Sequence, residues 1–534
     1  MLIQLLSVAV AANPVPHEHS LSTTQSAETL YADFVQFFEQ ESLPADERLS
    51  QETWHCGTGL LLAIRSQWTD FTPAQQSRMA PIARPPVPPN ASDHRAAPAV
   101  PPTGVPTQTC FDQFPELRPQ WAGDGDIRIL TEHFSVEWDG DAISEYKAQE
   151  WADSLEHSWA VEFGEMGWKK PNGTDDYLLL AYVADYAYAG AVTSMEYCDG
   201  TQTPFIIAGN ASFSQGTWHQ DMAGHELNHA SQFSYGFGHE FYFWEATATW
   251  IVEYLYPSHN MWSQYITGYS NAPYLAINKS SQQEQTIAQH MYGMAVLDFY
   301  LDEYVGGPEL IREIWEYSLD HGVQYDLWMG EVLSDLGYDW GEIYDGFIAT
   351  NSVMDYAEQA YFPTVKVSDT VKTFPASGGM SGNKKPEGYG QNYVRIKTVK
   401  STEESPDLAF VFEGDNKVEW SVQLVSEMDG LVGDVQKVEV VEGLGEATVL
   451  NFGTFDNVWM VVSPLTTKSK AYSYAWEFDL FNANPEPVDT GDGGATTEEV
   501  GGCACSATPA HGKRTWFPAA LLVLLPWVRR RRAK

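Results

Sequence analysis

His225, Glu226 and His229 stand in the order His-Glu-Leu-Asn-His. Residues four apart on an α-helix share a face, so imidazoles at that spacing can hold one metal ion. The glutamate after the first histidine then lies beside the open coordination position, where it can take a proton from a water held there. The flanks suit a helix: Thr217 and Gln220 read as a capping box, and Met222, Ala223, Leu227, Ala230 and Phe233 supply apolar positions. Zinc needs a third protein ligand, and Phe243 to Trp250 offers Glu245. That stretch reads as a second helix, with Trp244, Ala248, Ile251 and Leu255 packed and Glu245, Thr249 and Glu253 on another face. A carboxylate between Trp and Ala is expensive to bury unless a cation such as zinc neutralises it.

An H-E-x-x-H helix followed by a glutamate on the next helix resembles the gluzincin metallopeptidases. The metzincin pattern does not fit, because it requires glycine at Gln232 and histidine at Tyr235. The resemblance implies zinc ligands at His225, His229 and Glu245, a catalytic base at Glu226, and protein or peptide substrates. Two features depart from it. The interval from His229 to Glu245 is shorter than in the familiar gluzincins, and Thr249 stands where those often carry an acidic residue. From about residue 110 to 480 the chain is similar to secreted bacterial metallopeptidases with an HExxHAxQ…WExTAxW signature, matched by His229-Ala230-Ser231-Gln232 and by Trp244 to Trp250. In gluzincins a Tyr or His on a later helix donates a hydrogen bond to the oxyanion. His290 and Tyr292, near the start of a predicted helix from Thr286 to Tyr304, are the candidates.

These residues need a scaffold, and the pattern predicts an α+β one: a zincin-like metallopeptidase domain over 110–360, then an all-β sandwich over 361–482. Ile127 to Trp138 alternates like a strand, Ala142 to Phe163 reads as an amphipathic helix, and Tyr177 to Val183 is a continuous apolar run suited to a buried strand. Pro204 to Ala208 is a shorter strand before the His-Glu helix. In the proteases the chain resembles, that strand lies at the sheet edge and pairs with substrate, which makes 205–208 the expected substrate edge. The helix from Thr286 ends at Gly306-Gly307, with Glu309 to Tyr317 continuing as helix. Seven β-prone runs follow: Tyr393 to Ile396, Leu408 to Phe412, Val418 to Leu424, Val438 to Val441, Ala447 to Phe452, Val458 to Val462 and Tyr472 to Phe478. Upstream, 13–80 carries helical periodicity and reads as a propeptide or a structural extension. The nine prolines from Pro81 to Pro106 make 81–109 a linker.

A chain of 534 residues can hold more than one domain, and its 43% hydrophobic content is that of a packed protein. A net charge of −42 argues against nucleic-acid binding. Met1 to Ala12 resembles the end of a secretory signal peptide. At the other end, 483–502 is a flexible stalk. It leads to Cys503 and Cys505, a short apolar run from Trp516 to Val528, and four arginines from Arg529. This order resembles myxobacterial-type surface-sorting tails. It implies export through the inner membrane, a membrane-held intermediate, a sorting protease as partner, and a cell-surface product. A disulfide is expected among Cys56, Cys110 and Cys198, with three pairings open. A further reading has the Cys56 thiolate cap the zinc, but a disulfide is the expectation for that residue. Asp124, Asp126 and Asp492 read as solvated turns rather than calcium ligands. The leading function is a secreted zinc metallopeptidase. A surface adhesion protein with a structural metal site is the alternative, and a closed four-ligand site would favour it.

Overall fold

The computed structural model describes residues 26–39, 55–83, 106–119, 122–123, 127–185, 190–214, 216–236, 238–280, 285–321, 327–380, 382, 384–399, 405–468 and 470–481. Residues 1–25, most of the proline-rich stretch, Asp124, Asp126 and residues 482–534, on which the expected signal peptide, stalk and tail and Asp492 fall, lie outside them. No helix among the described residues is long and apolar enough to cross a membrane.

A six-stranded sheet underlies the site. Its strands are β1 (His55–Cys56), β2 (Arg128–Leu130), β3 (Phe134–Trp138), β4 (Leu179–Ala184), β5 (Gly190–Cys198) and β6 (Thr201–Gly209), in the order β1-β5-β6-β4-β3-β2. Strands β3, β4 and β6 run parallel, β5 is antiparallel to β6, and β1 pairs parallel with β5. The segment from Ile127 to Trp138 is a hairpin rather than one strand. Thr131 closes its turn, donating its N–H to the Phe134 carbonyl at 2.9 Å and accepting the Phe134 N–H on its hydroxyl at 3.1 Å.

Side-chain alternation explains why both faces of this sheet are covered. Leu179, Ala181, Val183, Ile206 and Ala208 join one hydrophobic cluster with Trp151, Leu155, Met222 and Leu227. Their neighbours Leu180, Tyr182, Phe205 and Ile207 join another, with Leu30, Phe34, Leu60 and Leu61. The first face carries the helices Glu145–Trp159 and Trp218–Gln232, and the second carries the N-terminal helices Ala27–Phe38 and Thr58–Ser66. A third N-terminal helix, Pro73–Ala83, runs into the stretch read as linker. A disulfide joins Cys110 to Cys198 at the end of β5, which selects one of the three pairings and leaves Cys56 a free, buried thiol.

Three further features differ from the expected helices. The amphipathic helix spans Glu145–Trp159 and widens into a π turn over Ala160–Glu165. Thr217 caps the helix Trp218–Gln232 without any side-chain bond, so no capping box forms. The long helix from Thr286 is two helices, Gln285–Gly293 and Ala295–Tyr300, followed by a π turn at Leu301–Gly306 and a further helix at Pro308–His321. Close packing accompanies that break. The helix Trp262–Asn271 crosses so near that a Cβ at Gly268 would lie 1.9 Å from the Gln289 carbonyl oxygen.

The C-terminal region adds β7 (Asp369–Val371), β8 (Ala376–Met380), β9 (Asn392–Lys397), β10 (Asp407–Gly414), β11 (Glu419–Met428), β12 (Leu431–Lys437), β13 (Val440–Val441), β14 (Leu444–Val449), β15 (Asn457–Leu465) and β16 (Tyr474–Phe481). They form two five-stranded sheets, β12-β11-β15-β9-β7 and β13-β14-β10-β16-β8, which share a single hydrophobic cluster. Strand β15 turns Val458, Met460 and Val462 into that cluster and Trp459 and Val461 toward the main helical core. The two regions therefore share packed surface. Strands β7, β8 and β12 were not anticipated: β8 is Ala-Ser-Gly-Gly-Met, and the side chains of β12 are mostly exposed.

Candidate metal centre

Four donor groups from three parts of the chain converge. His225 and His229 project from one face of Trp218–Gln232, Glu245 from the helix Phe241–Trp250, and Cys56 from β1. One donor atom from each lies within 4.8 Å of the others, and all four residues are buried. The two Nε2 atoms are 3.1 Å apart, and Glu245 Oε2 lies 3.3 Å from the first and 3.5 Å from the second. Cys56 Sγ is 3.3 Å from His229 Nε2. A tetrahedral ion with bonds of about 2.0–2.3 Å needs donors roughly 3.3–3.8 Å apart, so this spacing fits such an ion. Glu245 Oε1 is buried with no hydrogen-bond partner, as suits a carboxylate whose charge a cation would meet. The set of two imidazoles, a carboxylate and a thiol is one that borderline divalent metals accept.

Without a cation the electrostatics favour the ligand forms of His225 and Glu245 but press a proton onto His229 and Cys56. Burial pulls His225 down to about 4, which keeps its imidazole neutral. Burial also opposes charge on His229 and Glu245, but their mutual attraction outweighs it. The carboxyl is held at about 2 and the imidazole above its ordinary value. Burial, reinforced by Glu226 and Glu245, pushes the Cys56 thiol well up, so only a cation in the centre would make it a thiolate.

A buried polar chain orients His229. Its Nδ1 lies 2.7 Å from Gln232 Oε1, which fixes the proton on Nδ1 and turns the Nε2 lone pair inward. The Gln232 amide donates to Asn228 Oδ1 at 2.8 Å and to the Trp244 carbonyl at 3.1 Å. Asn228 donates in turn to Glu162 Oε2 at 3.3 Å, in the π turn. Burial pushes the Glu162 carboxyl well above its ordinary value. Only Gln232 among these outer partners had a sequence signal, its place one turn after His229.

Glu226 sits beside the cluster without joining it. Its Oε2 accepts from Thr193 at 2.7 Å and from Thr58 at 3.3 Å, while its buried Oε1 has no partner. Burial raises its pKa. The Thr193 hydroxyl also lies 2.8 Å from the Glu226 carbonyl oxygen, tying β5 to the helix. Sequence pattern gave no hint of either threonine, because both arrive by tertiary packing.

The two oxyanion candidates fall in different places. The Tyr292 ring lies 6.3 Å from that of His225, and its hydroxyl is 3.3 Å from both the backbone N and the carbonyl O of Cys56. His290 does not join the cluster. It is buried edge-on to Tyr269 at 6.1 Å, both ring nitrogens lack partners, and burial lowers it to about 3.

The expected substrate edge needs correction. Strand β6, which contains 205–208, is internal, flanked by β4 and β5. Strand β5 lies outside it, and β1 pairs with the outer side of β5. The cause is a strand order that pattern alone does not fix: β5 precedes β6 in the chain, pairs antiparallel with it and takes the position outside it. Cys56 is also corrected, from disulfide partner to member of the donor cluster.

No protein-family model matches this chain, and no curated protein matches it significantly.

Proposed function

We propose that the chain is a zinc-dependent peptidase of gluzincin type. The observation that carries this reading is a buried carboxylate, Glu226, held by two threonines with one oxygen unpartnered beside a two-histidine, one-glutamate donor set. Bound zinc would supply Lewis-acid polarisation of the scissile carbonyl and a more acidic water. His225, His229 and Glu245 would hold it. Glu226 takes the proton from the attacking water and passes it to the leaving amine, and Thr193 keeps its Oε2 in place. Tyr292 would donate to the oxyanion, a role supported by its ring lying against that of His225. The proposal extends to a β-sandwich formed by the two C-terminal sheets, and to export with surface sorting through the tail.

One observation favours the alternative of a structural metal site in a surface binding protein: the cluster offers four protein donors rather than three. Glu226 weighs against it, since a closed structural site has no use for a buried base. The test is Glu226→Gln in the zinc-loaded full chain, made in a Cys56→Ser background so that the fourth donor is absent from both proteins compared, and assayed on casein and a peptide library. Hydrolysis should fall by about 10²–10⁴-fold, the usual worth of a general base, with zinc content and circular dichroism unchanged. Cleavage near that of the Cys56→Ser parent would remove Glu226 from the mechanism.

A further inference from the structure

The segment from His55 to Arg65 touches every part of the site that a substrate would use. Residues 191, 193 and 195 of β5 share parity, so their backbone groups face the same outer edge. The Gly57 N–H donates to the Ala191 carbonyl at 3.0 Å, the Thr193 N–H donates to Thr58 Oγ1 at 2.9 Å, and Arg65 donates to the Met195 carbonyl at 2.9 Å. An edge satisfied in this way cannot pair with an extended peptide. The same segment places Cys56 Sγ among the metal donors, holds Glu226 through Thr58, and engages the Tyr292 hydroxyl through the Cys56 backbone. Its course is specific. Gly57 passes so close to Phe37 that a Cβ there would lie 2.6 Å from the ring, which ties the turn after Cys56 to the first N-terminal helix.

We propose that His55 to Arg65 is a built-in occupant of the active site. The Cys56 thiolate takes the metal's fourth position, and the segment holds the β5 edge where substrate backbone would pair. The chain is therefore latent until the segment is displaced. This rests on the peptidase reading and adds its regulation. Activation is a ligand exchange: the Cys56 sulfur leaves the metal, water takes its position, and no oxidant or reductant is required. The three ligands His225, His229 and Glu245 suffice to keep the ion, which separates this role from that of a structural fourth ligand.

The experiment uses the full chain with cobalt(II) in place of zinc, as wild type and as Cys56→Ser, with acetohydroxamate as a probe of the fourth position. In wild type a thiolate-to-cobalt charge-transfer band is expected, with acetohydroxamate leaving the spectrum unchanged. In Cys56→Ser the band disappears, one metal per chain remains, and acetohydroxamate shifts the spectrum. Peptide hydrolysis by the zinc form should rise at least about tenfold, as the competent state becomes the populated one. A wild-type spectrum without the band, acetohydroxamate binding equally to both proteins, or loss of metal from Cys56→Ser would each overturn latency. A Cys56→Ser protein that binds acetohydroxamate and hydrolyses nothing would sink the peptidase reading alone.

Discussion

The helical region around the candidate metal centre and the two C-terminal sheets each bury an apolar cluster, the helical one much the larger, but place buried ionisable groups differently. The cluster that the two sheets share is built from residues such as Phe410, Phe412, Val458, Met460 and Phe478, and its titratable members are the tyrosines Tyr472 and Tyr474. The helical region buries two histidines, two glutamates and a cysteine side by side, and leaves oxygens of Glu226 and Glu245 without partners. Unsatisfied buried acceptors cost on the order of 1–3 kcal/mol each, more when charged. The sheets also bury unpartnered atoms, such as Gln423 Oε1, Asn457 Oδ1 and Tyr474 Oη, so the contrast lies in the carboxylate oxygens that gather beside the donor cluster. Even the outer polar shell follows this division, since Gln232, Asn228 and Glu162 serve only to aim His229.

The sharpest way to break the comparison is to damage the sheets and watch the metal. Phe410 is fully buried and stacked on Phe478, with centroids 5.1 Å apart. Phe410→Ala should destabilise the protein by about 3–5 kcal/mol in denaturant unfolding, the usual range for a buried Phe truncation, without changing metal content of the folded chain. Metal loss in step with stability would mean that the regions are not separable in this way. A smaller effect sharpens the other side. Gln232→Leu removes the acceptor for His229 Nδ1 and should weaken metal binding by about 10–100-fold in chelator competition. An affinity equal to wild type would show that the orienting chain does no such work.

Legibility followed the range of the interactions. The His225–His229 pair, Glu226 and the Glu245 helix were readable because one or two helical turns fix their geometry, and the continuous apolar runs of β4 and β6 announced buried strands. The two-residue β1 was not readable, nor was the displacement of β6 from the sheet edge, and the meeting of Cys56 with His229 across 173 positions could be raised as a cap on the zinc but not preferred over a disulfide. Such facts depend on which distant segments pair, and no local periodicity records that. The same reason explains Thr58 and Thr193, ordinary residues until tertiary structure sets them against Glu226. Tyr292 could be named beside His290 from sequence, but only packing distinguishes the one against His225 from the one against Tyr269.

The most direct test of the central claim is zinc stoichiometry of the purified full chain by elemental analysis, measured beside Glu245→Ala. The account predicts one zinc per chain in wild type. In the variant His225, His229 and the Cys56 sulfur remain as donors, so zinc should be held more weakly, being lost to a chelator concentration that leaves wild type loaded. Wild-type protein without zinc, or a variant that keeps its zinc as tightly, would contradict the assignment of His225, His229 and Glu245 as the metal centre.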